Sequence, residues 1–155
     1  MIQIKRILCP VDFSANAEHA LQYALAFART FDAELEILHA VEPIAYEVGG
    51  DEMGVQLAVQ YLQEVEVAVT ARLEELCAKA KRSHPKVSPH LAKGVAFVEI
   101  VRRAKEGNVD LIVIGTHGRT GLAHALMGSV SEKVVRKAPC PVLTVKHPEH
   151  DFVMP

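Results

Sequence analysis

The feature that most restricts the fold of this 155-residue chain is a regular alternation of short apolar runs with segments of helical periodicity. The runs are short and uninterrupted, as in strands that are buried on both faces, and between them apolar residues recur every three or four positions. This alternation predicts a single α/β domain, an open parallel sheet of five strands with helices on both faces. The strands are predicted around Ile7–Leu8, Leu35–Val41, Val87–Leu91, Leu111–Ile114 and Pro141–Val145.

Four helices are predicted between these strands. Their apolar stripes run over 17–28, 57–80, 97–104 and 129–137, with Ser14 as the cap of the first helix and Gly107-Asn108 closing the third. Residues 42–56 hold one proline and three glycines, which predicts a loop long enough to cover a binding site. We assign residues 1–147 to the domain and 148–155 to a flexible tail.

Charge and cysteine usage exclude several classes of function. The net charge is −2 and basic residues are not clustered, which argues against nucleic acid as the main partner. The first apolar run is too short for a signal peptide or a membrane span, so we expect a cytoplasmic protein without a membrane partner. Cys9, Cys77 and Cys140 are scattered, which favours buried reduced thiols over disulfides, and no set of side chains has metal-ligand spacing.

A glycine-rich stretch between the fourth strand and the last helix is the strongest candidate site. Glycines let a backbone approach a ligand closely, and the N-terminus of the following helix offers free N–H groups and a partial positive charge. No acidic residue lies between positions 111 and 131, so an anion would not be repelled. The stretch therefore predicts a phosphate site, although a plain turn and a solvent-facing histidine are open alternatives. The candidates are Gly115, Thr116, His117, Gly118, Arg119, Gly128, Ser129, Val130 and Ser131.

The start of the last helix and the missing motifs refine this site. Ser129-Val130-Ser131-Glu132 matches a capping box, so Ser129 is expected to cap the helix as well as to contact phosphate. The stretch lacks the Gly-Lys-Ser/Thr of a Walker A loop, and no positioned base is evident. We therefore assign no catalytic residue and expect nucleotide binding with at most slow hydrolysis.

Asp12 is the second candidate element, because it follows Pro10-Val11 at the carboxyl end of the first strand. One alternative is that it only forms the turn into the first helix. In the functional alternative its carboxylate accepts hydrogen bonds from the sugar or base of a nucleotide, away from the phosphates. If the first and fourth strands are neighbours, Asp12 and Gly115 line one crevice at the carboxyl edge of the sheet.

Several motifs together resemble the universal stress protein family. They are Cys9-Pro10-Val11-Asp12-Phe13-Ser14, His39-Ala40-Val41, the pattern G-x2-G-x9-G-S from Gly115 to Ser129, and the closing segment Ala138–Val145. The resemblance covers essentially the full length of the chain. It implies a five-stranded parallel sheet of the adenine-nucleotide α-hydrolase-like kind, in the order 3-2-1-4-5.

The resemblance also implies a ligand and a role, because members with the full glycine motif bind ATP. Asp12 and the backbone around Ala40 would then hold the adenosine end, and Pro10, Val11 and Gly115 would wall the ribose. Mg²⁺ or Mn²⁺ would bridge the phosphates. The residues implied at the phosphates are Gly118, Arg119, Gly128, Ser129 and Val130.

For the whole protein, the resemblance implies an ATP-dependent regulator of the stress response that forms a homodimer through the last strand, Val142–Val145. Two alternatives stay open at this point. One is a slow ATPase or other nucleotide-processing enzyme on the same fold, and the other is a protein-interaction module that holds AMP or another adenylate.

Overall fold

Five strands and four helices alternate along the chain, as a computed structural model shows for residues 1–43, 52–117 and 127–148. Each short apolar run forms a strand and each periodic segment forms a helix, which confirms the predicted element order. The elements are β1 (Arg6–Pro10), α1 (Ala15–Phe31), β2 (Glu34–Val41), α2 (Glu52–Lys81), β3 (Val87–Lys93), α3 (Ala96–Glu106), β4 (Leu111–Gly115), α4 (Ser129–Lys137) and β5 (Val142–Val145).

The strands form one parallel sheet in the order β3-β2-β1-β4-β5, which confirms the predicted topology. β1 is central, and Ile7 and Leu8 pair with Leu111 and Ile112 of β4. The chain therefore winds outwards from β1 to β3 and then crosses back to start again at β4. The carboxyl ends of β1 and β4 mark the place where the winding reverses, and in sheets of this kind a crevice opens there.

Alternate residues of the central strands serve two separate cores. Ile7 and Cys9 of β1 pack with α1 and α2 on one face, whereas Leu8 packs with α3 and α4 on the other. Leu8 is fully buried, and burying a leucine side chain contributes about 1.5–3 kcal/mol. The uninterrupted apolar runs in the sequence follow from this burial on both faces.

Helix α1 begins and ends at residues suited to those positions. The Ser14 hydroxyl accepts a hydrogen bond from the Ala17 amide at 3.2 Å, which confirms the predicted cap. Asp32 ends the helix in the left-handed conformation, with φ of 52°, and its amide donates to the carbonyls of Ala28 and Arg29. The buried face is largely alanine, which lets α1 lie close to the sheet.

The structure differs from the prediction at three boundaries. Helix α2 begins at Glu52, so positions 52–56 of the predicted loop are helical, and positions 44–51 lie outside the described residues. A single interior glycine, Gly54, costs about 1 kcal/mol of helix propensity, which is too little to end a helix with 30 residues. Strand β3 extends to Lys93. Strand β5 begins at Val142, one residue later than predicted. The predicted end of α3 is confirmed, since the helix stops at Glu106 with Gly107 as its C-cap and Asn108 follows in the left-handed conformation, with φ of 46°.

Cysteine burial and helix length complete the comparison. Cys9 and Cys77 are buried and Cys140 is half-buried, and all three thiols are free, so full burial is confirmed for two of them. Burial raises the pKa of the Cys9 thiol to about 12. In the described ranges, no helix is long and apolar enough to cross a membrane. The predicted tail lies outside the described residues except for position 148, and its flexibility stays a prediction.

Candidate functional site

A cavity of about 580 Å³ opens at the carboxyl edge of the sheet, where β1 and β4 separate. Pockets for small ligands and cofactors usually have volumes of about 300–1,000 Å³, so this cavity has the size of a nucleotide site. Ten of the thirteen predicted site residues line it: Pro10, Val11, Asp12, Ala40, Gly115, His117, Gly128, Ser129, Val130 and Ser131. The structure thus brings the two predicted elements together, as neighbouring first and fourth strands require.

Asp12 combines its two predicted roles. One of its carboxylate oxygens, Oδ1, accepts a hydrogen bond from the Ser14 amide at 3.0 Å, so the side chain forms the turn that starts α1. The same residue lines the cavity. Next to it, the Nδ1 atom of the buried His39 lies 2.8 Å from the carbonyl oxygen of Val11. His39 therefore joins the end of β2 to the end of β1.

Thr116 ties together the two ends of the glycine-rich stretch. Its amide donates to the Val145 carbonyl at 3.0 Å, and its own carbonyl accepts from the Gly128 amide at 2.6 Å and from the Ser131 hydroxyl at 2.8 Å. Thr116 is buried and lies outside the cavity lining. These bonds give Thr116 a structural role, its contact with a ligand stays a prediction, and Gly118 and Arg119 lie outside the described residues.

The N-terminus of α4 faces the cavity, but its cap differs from the prediction. Gly128 is the N-cap and Ser129 is already the first helical residue, so the predicted cap at Ser129 is wrong. The Ser131 hydroxyl bonds the Gly128 carbonyl at 2.9 Å, and Glu132 pairs with Arg136 instead of reaching back. The short hydrogen bond from the Gly128 amide to the Thr116 carbonyl favours the cap at Gly128, since it fixes the backbone one residue before the expected cap.

This start leaves a group of amides facing the cavity. The Gly128 amide donates to the Thr116 carbonyl. The amides of Ser129, Val130 and Ser131 are the first three of the helix and have no acceptor within the helix. All three residues line the cavity. Because the N-terminal end of a helix also carries a partial positive charge, this wall is suited to an anion.

Gly115 has a packing role that the sequence did not reveal. A Cβ atom at this position would lie 3.1 Å from the Asn16 carbonyl oxygen, so the end of β4 and the first turn of α1 are in close contact. The glycine was predicted to let a ligand approach the backbone. In the structure it also lets a helix approach, which sets the width of the crevice between β4 and α1.

The other wall of the cavity comes from residues that sequence reasoning missed. Val65 and Val69 of α2 and Ile100 of α3 provide apolar surface, and one oxygen of the exposed Glu42 accepts from the Ala96 amide at 3.0 Å, at the start of α3. The helical spacing of the two valines predicted only a helix. Glu42 carried a signal that was missed, because it directly follows the predicted second strand as Asp12 follows the first. Acidic groups thus lie towards β1 and β2 and helix amides lie towards β4.

Comparison with known proteins decides the family. The sequence profile of the Universal stress protein family matches residues 3–146, which is nearly the whole chain. The chain belongs to the universal stress protein family. This membership confirms the resemblance carried by the motifs at the ends of β1, β2 and β4.

Individual relatives agree over the full domain. Universal stress protein MJ0531 of Methanocaldococcus jannaschii is 33% identical over 147 residues, which cover 95% of this chain and 85% of that protein. Among solved structures, UspA of Lactobacillus plantarum has a TM-score of 0.81 at 26% identity, covering 92% of this chain and 98% of that one. Protein MJ0577 of Methanocaldococcus jannaschii has a TM-score of 0.77 at 31% identity, with 96% and 99% covered. The sheet order of this chain is thus the fold of its family.

In residues 1–43, 52–117 and 127–148, no group of three or more His, Cys, Asp or Glu side chains lies close enough to hold a metal ion. The titratable residues that line the cavity in these ranges are Asp12, His39, Glu42 and His117. The Nδ1 atom of His117 lies 3.1 Å from the Thr116 hydroxyl. The cavity can therefore offer acceptors to a polar ligand at one end and amide donors to an anion at the other.

Proposed function

We propose that this universal stress protein binds an adenine nucleotide, ATP, in the cavity and acts as a nucleotide-dependent regulator in the stress response. The observation that carries the proposal is the polarity of the cavity. Asp12 lies at one end and the first three helix amides of α4 lie at the other, so the ligand needs hydrogen-bond donors at one end and negative charge at the other. A nucleotide meets both requirements.

Two solved structures of the same fold support the class of ligand. A universal stress protein in complex with cAMP has a TM-score of 0.68 at 24% identity, and one from Archaeoglobus fulgidus in complex with dAMP has a TM-score of 0.65 at 23% identity. At these identities the similarity to this chain concerns the fold alone, and cAMP and dAMP are the ligands of the two compared proteins. They make an adenine nucleotide the first candidate for a cavity of this kind.

In the proposed complex Asp12 and the backbone at Ala40 bind the adenosine end of the nucleotide. The ribose is in contact with Pro10, Val11 and Gly115. The phosphates would lie at the glycine-rich stretch and the N-terminus of α4, where Mg²⁺ or Mn²⁺, if bound, would neutralise part of their charge. Three helix amides and the neighbouring His117 support this direction of binding. The residues proposed at the phosphates are Gly118, Arg119, Gly128, Ser129, Val130 and Ser131, with Thr116 holding the stretch closed.

We propose binding rather than rapid hydrolysis. No lysine is among the described residues that line the cavity. Both histidines in that lining are potential bases, and each has a protein partner: His39 bonds the Val11 carbonyl, and the Nδ1 atom of His117 lies 3.1 Å from the Thr116 hydroxyl. A slow ATPase remains the alternative from the enzyme class. It would show phosphate release clearly above that of a Gly128→Val variant, whereas a regulator would show binding without such turnover.

Native mass spectrometry of the purified protein, followed by calorimetric titration with ATP, AMP and GTP, tests the proposal. We expect one adenine nucleotide per chain and no comparable affinity for GTP. Gly128→Val adds an isopropyl group to the cavity wall beside the Ser129 and Val130 amides. Loss of one charge-assisted hydrogen bond from these amides to phosphate costs about 1.5–3 kcal/mol, so ATP binding should weaken about tenfold or more. Gly128 has φ of −71°, which valine adopts without strain, so the variant should fold. Unchanged ATP affinity would reject the phosphate assignment, and resident AMP would favour the interaction module.

The edge of the sheet supports a homodimer as part of this proposal. β5 pairs with β4, and among the described strands none pairs with its other side. Val142, Leu143 and Thr144 are half-buried on that edge, and an open strand edge favours pairing with another chain. We propose a symmetric dimer through Val142–Val145. Light scattering at micromolar concentration should give twice the 17.0 kDa mass of the chain, and a monomer would exclude it.

The proposed location is the cytoplasm. The three free thiols support it, because secreted domains more often carry disulfides. Fractionation of cells that express the tagged chain would test the location, and recovery of the protein outside the cytoplasmic fraction would contradict it.

A further inference from the structure

The turn between β1 and α1 contains a bulky residue in a conformation that such residues rarely adopt. Phe13 has φ of 61°, in the left-handed region. The other non-glycine residues with positive φ in the described ranges are Asp32 and Asn108, whose short polar side chains tolerate it. A strained backbone of this kind persists only where surrounding contacts hold it, and strained residues are frequent at binding sites.

Two side chains from different elements hold the Phe13 ring. The His39 ring of β2 stacks on it at 4.6 Å between centroids, with 31° between the planes. The guanidinium carbon of Arg72, on α2, lies 4.5 Å from the ring centroid, in the geometry of a cation–π contact. The stack His39–Phe13–Arg72 therefore joins the turn to the second strand and to the helix whose Val65 and Val69 line the opposite wall.

The residues on both sides of Phe13 are fixed as well. The Asp12 carboxylate reaches across Phe13 to the Ser14 amide at 3.0 Å, so the backbone at Phe13 sets this distance. Before it, His39 bonds the Val11 carbonyl at 2.8 Å. One histidine thus contacts the turn twice, through its ring face and through Nδ1. Any shift of Phe13 would move the carboxylate of Asp12 in the cavity.

We infer that Phe13, held between His39 and Arg72, is a positioning residue that fixes the Asp12 carboxylate for the sugar or base of the ligand. Neither Phe13 nor Arg72 lines the cavity, so both act through Asp12. This inference rests on the proposed function, since it concerns the adenosine end of that same site. It assigns part of the ligand affinity to contacts outside the cavity wall.

The variants Phe13→Ala, Phe13→Gly and Arg72→Ala test this role by calorimetry with ATP and with adenosine. Loss of the ring should weaken both ligands about tenfold, and loss of the guanidinium should weaken both about threefold, as expected for single aromatic and cation–π contacts. Phe13→Gly relieves the backbone strain, so it should be more stable than Phe13→Ala and yet bind as weakly. Asn108→Gly, which changes a left-handed residue at the end of α3, is the control and should bind as the wild type.

Adenosine separates positioning from the charge of Arg72. A general attraction of the arginine for phosphate would weaken ATP binding in Arg72→Ala and leave adenosine binding unchanged, which would overturn the inference. Arg72 is exposed, so its removal leaves the core intact and the variant should fold even if Phe13→Ala does not.

Hydrogen exchange of the Ser14 amide provides a readout that needs no ligand. Its exchange should be faster in Phe13→Ala and Arg72→Ala than in the wild type, because the Asp12 acceptor becomes less well fixed. If the wild type bound no adenine nucleotide, the proposed function would fail, and Ser14 exchange would still decide whether Phe13 positions Asp12. Wild-type affinity in both variants, or unchanged Ser14 protection, would overturn the inference.

Discussion

Replacing Gly115 by alanine should destabilise the protein, because β4 ends in close contact with the first turn of α1. The added methyl would lie 3.1 Å from the carbonyl oxygen and 3.3 Å from the carbonyl carbon of Asn16. Ordinary van der Waals contacts lie at 3.4–4 Å, so the helix and the strand must separate by a few tenths of an ångström. Both neighbours are backbone atoms and cannot rotate away as a side chain would.

The expected free-energy change follows from two opposing effects. Overpacking costs about 1–3 kcal/mol. Alanine also restricts the unfolded chain more than glycine does, which offsets about 0.4–1 kcal/mol of that cost. At the midpoints of these ranges, a cost of about 2 kcal/mol and an offset of about 0.7 kcal/mol, the net loss in free energy of unfolding is about 1.3 kcal/mol. The melting temperature should then fall by about 3–5 °C for a chain of this size.

Urea unfolding and scanning calorimetry of the ligand-free protein measure this change. Gly115→Val should lose more stability than Gly115→Ala, since it adds two further methyl groups at the same contact. Gly54→Ala is the matched control, because the same chemical change within α2 should leave stability unchanged or raise it by up to about 1 kcal/mol. A melting temperature of Gly115→Ala at or above that of the wild type would refute the argument from close contact.

Three further predictions follow from contacts elsewhere. Ser131→Ala should lower the free energy of unfolding by about 1 kcal/mol, since its single O–H donates a hydrogen bond that two backbone carbonyls share. Ser129→Ala should change it by less than about 0.5 kcal/mol, and equal losses in urea unfolding would contradict this. Cys9, with its pKa raised to about 12 by burial, should resist a thiol reagent at pH 8 until the protein is unfolded, and labelling of the native protein would argue against that burial. Asp32→Asn should lower the free energy of unfolding at pH 7 and have little effect at pH 2. The hydrogen bond and charge of Lys86 lower the pKa of the Asp32 carboxyl, so this stabilisation is present at neutral pH and is lost as the pH falls through the lowered pKa. Equal effects at both pH values would exclude this coupling.

The sheet could be predicted from the sequence because its strands are buried on both faces. Such strands appear as short uninterrupted apolar runs, as at Leu111–Ile114, and helical stripes between them leave few topologies open. Local boundaries were less predictable. The start of α2 lay beyond a group of glycines, and the cap of α4 moved from Ser129 to Gly128 because the Thr116 carbonyl, twelve residues earlier in the sequence, bonds the Gly128 amide.

The residues of the candidate site also differ in how far the sequence could predict their positions. Asp12 and Gly115 could be placed in one crevice because both follow strands, and parallel strands bring their carboxyl ends to one edge. Glu42 follows β2 and could have been placed by the same rule, but the position of Val65 depends on how α2 packs on the sheet. The contact of Arg72 with Phe13 joins residues from distant segments, and no local pattern indicates it.

We propose that the cavity at the carboxyl ends of β1 and β4 holds an adenine nucleotide with its phosphates at the N-terminus of α4. A titration of the ¹⁵N-labelled protein with ATP, followed by backbone amide NMR, tests it most directly. We expect the amides of Asp12, Ala40 and Ser129 to shift together with one dissociation constant, while the amide of Ser88, at the opposite edge of the sheet, stays unchanged. Saturation without shifts at Asp12 and Ser129, or no shifts at all, would contradict the account.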